Sequence, residues 1–422
     1  MIPKIWIPKN RKELKQHLND PLFKNAYFLM LSSLTAAGSG FFFWLIAARF
    51  YSTKDLGLAS AIIAAMGVIS MLSLLGLDIS LVRFLPERKD KIELINTCLT
   101  ISFIFSLTLT MTFIAGIELW SPSLSIIREN KSLLLLFIVF TAIAPLHGLQ
   151  SSGVFVGFRK TKYSFYQTIA IFLRLVIVPF LVAFGAMGIY ASYGLTSVLA
   201  FGLGTFLISK VSSSYKPIPG IKREVVNDIF RFSPGNYIAR IFEMLPTFVL
   251  PIMVINILGA EKNAYFYIAW HISMLLLAAP RWTSISLLAE GSYSQEELRW
   301  DTKRAAKFIF LLLGVAIIGI FLFGKYLLWI FGEEYAINSF GVLLILVLGS
   351  IPFAINALYA TIKRVQKDVK PVIYVYGGIA IITILGSYLL MQSMGIIGVG
   401  VAWVIGNSVV MCGIGLKKIW RF

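Results

Sequence analysis

The sequence offers little from which to build a catalytic or metal centre. Its 422 residues include three histidines and two cysteines. No Cys and His set stands at metal-ligand spacing, and no Gly-x-x-x-x-Gly-Lys-[Ser/Thr] loop is present to cradle nucleotide phosphates. Cys98 and Cys412 both fall inside long apolar runs, so they imply no disulfide and indicate no redox compartment. Charge is scarce as well: 14% of residues are charged against 58% hydrophobic, with a mean hydropathy of +0.82. That balance excludes a soluble domain and points to a polytopic membrane protein. The first 25 residues are charged and lack a short apolar core with a small-residue cleavage site, so no cleavable signal is expected. The longest polar pieces, around 210–230 and 290–307, are too short for a catalytic domain. The chain is therefore not expected to be an enzyme, and no bound cofactor is expected.

What is present is length. Twelve apolar runs follow one another: Leu22 to Phe50, Gly57 to Asp78, Leu94 to Trp120, Leu133 to Val156, Phe165 to Phe184, Ile189 to Val211, Phe232 to Leu258, Ala264 to Leu288, Phe308 to Phe331, Phe340 to Ile362, Val372 to Met391 and Ile396 to Leu416. Most reach ~20 residues, enough for a helix to cross a bilayer, and they are continuous rather than alternating. The expected fold is an all-α bundle of about twelve transmembrane helices.

The net charge of +18 reads as a topology signal rather than a nucleic-acid site. With the N-terminus inside, 29 Lys and Arg fall in inner segments, 6 in outer segments and 3 within spans. Clusters recur at Arg83, Arg88, Lys89 and Lys91, at Arg159, Lys160 and Lys162, and at Lys363, Arg364, Lys367 and Lys370. The positive-inside rule then places both termini in the cytoplasm of a multi-pass cell-membrane protein, with the basic clusters touching lipid headgroups. The basic connector from Ser212 to Asn227, with Pro217, Pro219 and Gly220, is the one clear seam. The chain divides into an interfacial segment 1–24, a six-helix lobe 25–211, a cytoplasmic connector 212–227 and a second six-helix lobe 228–422. Two echoes support a parallel repeat at an offset of 207: Ala186-Met187-Gly188-Ile189 with Ser393-Met394-Gly395-Ile396, and Lys54-Asp55 with Glu261-Lys262.

Charges inside the spans identify the interior. Arg174, Arg240 and Arg281 reach a similar depth on the inner side, and Arg49 lies near the outer end of the first span. A charge at mid-helix costs ~2.5–3.5 kcal/mol on insertion scales, so these side chains should face protein or water. Glu243 shares a helix face with Arg240, which leaves two readings: a self-neutralising Arg240–Glu243 pair, or an arginine that contacts ligand. Asp78 and Glu243 are the acids placed to couple or gate. His147, Gln150, Tyr166, Gln167, Asn236, Tyr237, Trp270 and His271 add polar and aromatic groups to the same spans. Arginine's planar fork suits phosphate, so an anionic substrate is expected, with diphosphate a good candidate.

Arg49-Phe50-Tyr51-Ser52-Thr53-Lys54-Asp55-Leu56-Gly57-Leu58, then Gly76-Leu77-Asp78 and Arg83-Phe84-Leu85-Pro86-Glu87, resemble the N-terminal signature of the polysaccharide transporter family, which includes the Wzx-type oligosaccharide flippases. Lipid II flippases and MATE drug exporters belong to the same superfamily. The resemblance implies a two-lobed bundle with a cationic cavity that moves a polyprenyl-diphosphate-linked oligosaccharide to the outer leaflet, alongside glycan-assembly enzymes. Coupling would be to Na+, H+ or the membrane potential. Two rivals remain: a MATE-like exporter, which needs cavity acids, and a membrane-embedded glycosyltransferase or polymerase, which needs a large outer loop with carboxylates.

Overall fold

A computed structural model describes residues 21–226, 234–278, 280, 281, 283, 284, 287 and 298–415. Residues 1–20, the start of the seventh expected span and much of the second half of the eighth lie outside the described residues. Among the described residues every regular element is helical. The first lobe contains α1 (Pro21–Phe50), α2 (Thr53–Ser73), the short α3 (Leu77–Phe84), α4 (Lys91–Ala115) and α5 (Lys131–Gly148). Next come α6 (Lys162–Ile171) and α7 (Gly185–Val211). The second lobe contains α8 (Pro234–Leu258), α9 (Ala260–Leu276), α10 (Leu298–Trp329), α11 (Glu333–Asn338), α12 (Phe340–Leu348), α13 (Ser350–Val365), α14 (Val369–Met394) and α15 (Ile396–Ile414). Eleven of the described helices are long and apolar enough to cross a membrane, with α5 extending to Gly157, α6 to Phe184 and α12 joined to α13. The eighth expected span appears as the 17-residue α9, whose continuation is outside the described residues. This is a multi-pass membrane bundle.

The two lobes repeat each other in backbone detail. Gly185 opens α7 at φ 54°, ψ −137°, and Gly395 opens α15 at φ 59°, ψ −141°. Three residues on, a Cβ at Gly188 would sit 2.1 Å from the Leu181 carbonyl oxygen, and one at Gly398 would sit 2.5 Å from that of Leu390. Each pair lets the last helix of its lobe turn back sharply and pack on the helix before it. The conformational partner of Gly395 is thus Gly185 rather than Gly188. The local offset is 210, three more than the sequence echo suggested, because the turn needs glycine at its left-handed residue and tolerates other side chains around it.

The lobes meet along α2, 72% of whose span is buried. Glycine on α2 makes the approach possible: a Cβ at Gly57 would lie 1.7 Å from the Ala260 carbonyl oxygen, and one at Gly67 would lie 2.4 Å from the Phe248 ring. Polar contacts cross the same seam at the end bearing the α1–α2 turn. Asn263 donates to the Gly57 carbonyl at 2.7 Å and to Ser60 Oγ at 3.0 Å. Arg49 donates to the carbonyls of Ile330 at 2.6 Å and Trp329 at 3.1 Å, so it caps the C-terminus of α10 from the other lobe. Thr53 donates to Glu334 at 2.8 Å, and Ser123 Oγ donates to the Ile255 carbonyl at 3.1 Å.

At the connector end the lobes are joined more sparsely. Among the described residues, the polar links are Tyr237 to the Leu72 carbonyl at 2.8 Å and the more distant Met71 carbonyl, and Arg240 to Asp78. Tyr27, Met30, Leu31 and Leu34 of α1 stand exposed there. The connector itself is strapped to the first lobe, with Asn96 donating to the Lys216 carbonyl at 2.8 Å and Gly220 N–H donating to Thr100 at 3.1 Å. Arg88 grips Asp90 with Nε and Nη2 at 2.9 and 3.1 Å in the adjoining loop. That fork holds the Asp90 carboxyl below its ordinary pKa, so its stabilising effect is full above the unfolded carboxylate range and fades as pH falls through the folded value.

Closure at the turn end therefore hangs on small residues. Gly57→Ala forces the added methyl against a backbone oxygen that cannot rotate away, at an expected cost of about 1–3 kcal/mol or more. A Thr53→Cys/Glu334→Cys pair should cross-link several-fold less efficiently in the Gly57→Ala background. The Gly38→Ala control, which meets nothing within 4 Å, should cross-link normally. Equal yields in all three would show that the Gly57 contact does not hold this end shut.

Candidate functional site

Four arginines and two acids lie in the interior of the bundle, in two tiers. Nearer the connector end, α8 contributes Arg240 and Glu243 one turn apart. They do not pair with each other. Arg240 reaches across the lobe boundary to Asp78 on α3, with side chains 42% and 6% exposed respectively. Glu243 turns the other way, to Arg364 on α13 at 3.5 Å. Arg364 also lies over the Tyr376 ring at 5.6 Å, and Arg281 lies over Phe353 at 5.7 Å. Glu243, Arg281, Ser284, Phe353, Thr361, Arg364 and Tyr376 line one cavity of about 210 Å³. Arg281 Nε is buried there without a hydrogen-bond partner. The result is a charge chain, Asp78–Arg240 then Glu243–Arg364 with Arg281 alongside, carrying one more cation than acid.

Three sequence features set this arrangement. Gly76, at φ 74°, breaks the second span and starts α3, which turns Asp78 inward; the Asp78 backbone meets Gly153, where a Cβ would lie 3.2 Å from Asp78 Cα. Gly153 sits in a π-helical turn, Leu149–Val154, that follows Pro145 inside α5. Pro246 and Pro251 lie in α8 just beyond Glu243. Backbone irregularity is thus concentrated on both sides of the Asp78–Arg240 bridge.

At mid-depth, Arg174 is enclosed in an aromatic box. It is 7% exposed, its Nε donates to Ser39 Oγ at 3.1 Å, and it lies 5.2 Å from the ring centres of both Phe43 and Tyr193. His271 of α9 stacks on Tyr267 with centroids 6.0 Å apart, and Tyr267 meets Trp44 at 4.6 Å. A Cβ at Gly40 would lie 3.2 Å from His271 Nε2 and 4.0 Å from Arg174 Nη2, so the two side chains converge beside that glycine. His147 lies half-buried in the last turn of α5.

The other expected site residues scatter. Arg49 caps α10 at the turn end, away from both tiers, because its span ends there; the expectation that it lines the cavity is corrected to a role in the lobe seam. Gln150 and Gln167 are fully buried and bonded together at 2.9 Å, with Gln167 also donating to the Ala200 carbonyl, so they fasten α5, α6 and α7 inside the first lobe. Asn236 is exposed and Tyr237 anchors α8 to the end of α2. Tyr166 is 45% exposed, and Trp270 packs in the second lobe's core against Trp403. Of the two readings of Arg240 and Glu243, the self-neutralising pair does not form, since each finds a partner on a different helix. Arg364 reads from sequence as a topology charge, and its place in the last turn of an apolar helix gives no sign of its inward aim.

Among the described residues eleven spans surround these interior charges. This bundle resembles solved structures of transport proteins. The lipid II flippase MurJ in an inward closed conformation matches with a TM-score of 0.76 at 15% identity, covering 93% of this chain and 87% of that one. An inward-facing MATE-family multidrug transporter of the MOP superfamily matches with 0.72 at 18% identity over 94% and 98%. An outward-facing MATE transporter matches with 0.63 at 16% over 98% and 99%. No curated protein matches the chain. The family model for polysaccharide biosynthesis proteins matches residues 22–279, more than half of the sequence, and the chain belongs to that family.

The interlobe bridge can be tested by a double-mutant cycle. Arg240→Ala leaves the buried Asp78 carboxylate without its cation, at a cost of about 3 kcal/mol, reduced because Arg240 itself is partly open to water. Adding Asp78→Asn should recover most of the lost melting temperature, whereas adding Glu243→Gln should not. Rescue by Glu243→Gln instead would restore the same-helix pair expected from sequence.

Proposed function

We propose that the protein is a flippase that carries a polyprenyl-diphosphate-linked oligosaccharide from the cytoplasmic to the outer leaflet by alternating access. The observation that carries this reading is the composition of the cleft: four arginines face two acids, and both acids are already engaged by arginine. A diphosphate meets Arg281 and Arg364 around the 210 Å³ cavity, where two planar forks can each grip one phosphate. Membership of the polysaccharide biosynthesis family supports the glycan. A MATE-like exporter of cations needs an uncommitted carboxylate in the cleft, and Asp78 and Glu243 are both paired. With the connector and both termini cytoplasmic, as the distribution of basic residues favours, the sparsely joined end faces the cytoplasm and the sealed turn end faces outward. Loading from the inner leaflet then requires that the Asp78–Arg240 bridge and the Tyr237 hydrogen bond to Leu72 yield. Return of the emptied carrier is driven by the membrane potential or an ion gradient.

Two measurements test the proposal. Cysteines at Ser132 and Ser214 should label from outside and inside respectively; the reverse pattern overturns the orientation. Arg281→Ala should weaken binding of a polyprenyl diphosphate more than tenfold, because an arginine ~4 Å from one phosphate charge gains ~4 kcal/mol at an effective dielectric of about 20, before desolvation. Arg281→Lys, which keeps charge without the fork, should fall between. Unchanged diphosphate affinity in Arg281→Ala, or competition by drug cations, would sink the flippase reading.

A further inference from the structure

A second cavity, of about 240 Å³, lies between the connector and the first lobe and shares no residue with the Arg281–Arg364 cavity. One wall is a single face of α4, where Asn96, Leu99, Thr100 and Phe103 recur at helical spacing. Leu146 of α5, Phe201 of α7 and the connector's Pro217-Ile218-Pro219 complete it. Polarity changes along α4. At the connector end Asn96 donates to the Lys216 carbonyl and Thr100 accepts from Gly220 N–H, and each keeps a donor hydrogen unspent among the described residues. Deeper in the span the wall is apolar. From Asn96 to Phe103 is ~10 Å along the helix, about two-thirds of the ~15 Å of hydrocarbon in one leaflet. Phe103, Ile104 and Phe105 stand exposed on α4, so the deep end adjoins a surface that the span presents to lipid.

The rim is cationic. Lys216 stands between Tyr215 and Pro217 of the lining, and its exposed side chain makes no ion pair among the described residues. Lys222 is committed to Glu93 at 2.5 Å. Ile218 and Ile221 are exposed among Lys216, Lys222 and Arg223, a mixture suited to a segment lying at a membrane interface. A small polar solute would leave most of this wall unmatched. A glycerolipid matches it in order of depth: charge, then hydrogen bonds, then hydrocarbon.

We infer that the cavity binds an anionic phospholipid of the connector-side leaflet. One acyl chain lies against Leu99, Phe103 and Phe201, the ester oxygens reach Asn96 and Thr100, and the phosphate meets Lys216. The lipid touches α4, α5, α7 and the connector together, so it fastens the connector to the first lobe. Its site lies apart from the interior charge chain, which makes it a partner of the protein rather than its cargo. The inference is independent of the flippase reading.

The test uses the purified full chain, with phosphatidylglycerol and phosphatidylcholine of matched chains as probes and native mass spectrometry to count bound lipid. Phosphatidylglycerol should bind at one per chain and about fivefold more tightly than phosphatidylcholine, the difference expected from one headgroup cation. Lys216→Gln should erase that preference, whereas Lys160→Gln, an exposed cation in the α5–α6 turn, should leave it intact. Leu99→Trp, which fills the cavity, should remove the bound lipid; the two lysine variants, both at the surface, decide the matter if the tryptophan variant does not fold. Equal loss of preference in Lys216→Gln and Lys160→Gln would mean diffuse attraction to a basic surface and overturns the site. Phosphatidylglycerol retained by a folded Leu99→Trp does the same. Displacement of the lipid by inorganic phosphate would leave the apolar wall without a role, and displacement by a polyprenyl phosphate at equal concentration would make the cavity a seat for the carrier; either result overturns the inference.

Discussion

A charge placed between helices in a bilayer has to be opposed by another charge, by water or by ligand, and this requirement organises the interior. Asp78 is nearly inaccessible, so its carboxylate depends on Arg240 from the opposite lobe. That dependence makes one ion pair both a structural link and a barrier across the mouth of the cleft. The pair holds while the lobes are close at that end and must break when they part. Glu243 and Arg364 satisfy each other within the second lobe, which frees Arg240 to make the cross-lobe contact.

The opposite end is closed by a different physics. There the lobes approach through glycine and exchange backbone-directed hydrogen bonds. Gly57 lets α9 come within van der Waals range of α2, and Asn263 bonds the carbonyl of that same residue. Arg49 binds carbonyls that α10 cannot satisfy itself. Such contacts are short-ranged and lost together, so this seal opens as a unit. One end is held by a seam of glycine contacts and hydrogen bonds, the other, among the described residues, by the Asp78–Arg240 pair and the Tyr237 hydrogen bond to Leu72.

Irregular backbone lies where the cleft needs it. Gly76, the π-turn at Leu149–Val154 and the two prolines of α8 all flank the charge chain. Each interrupts a helix whose hydrogen bonds would otherwise be continuous, and each re-aims a polar group inward. Elsewhere small residues stand at the close approaches, and buried amides such as Gln150 and Gln167 tie helices together.

Sequence alone determined the class and the run of apolar helices, because these follow from continuous hydrophobicity. It also marked Asp78, Arg174, Arg240, Glu243 and Arg281 as unusual, since a charge in an apolar run is costly wherever it points. Their partners were decided only by the tertiary structure. Arg240 and Glu243 share a helix face and still diverge, because each has a better-placed opposite charge, on α3 and on α13. Arg49 reads like its interior counterparts in sequence, yet the end of its span carries it to the seam. Arg364 reads like any cytoplasmic arginine, yet the last turn of α13 points it into the cavity. Spacing along one helix fixes which residues are neighbours on that helix; which of them meet across the bundle depends on crossing and depth, and those are properties of the packed lobes.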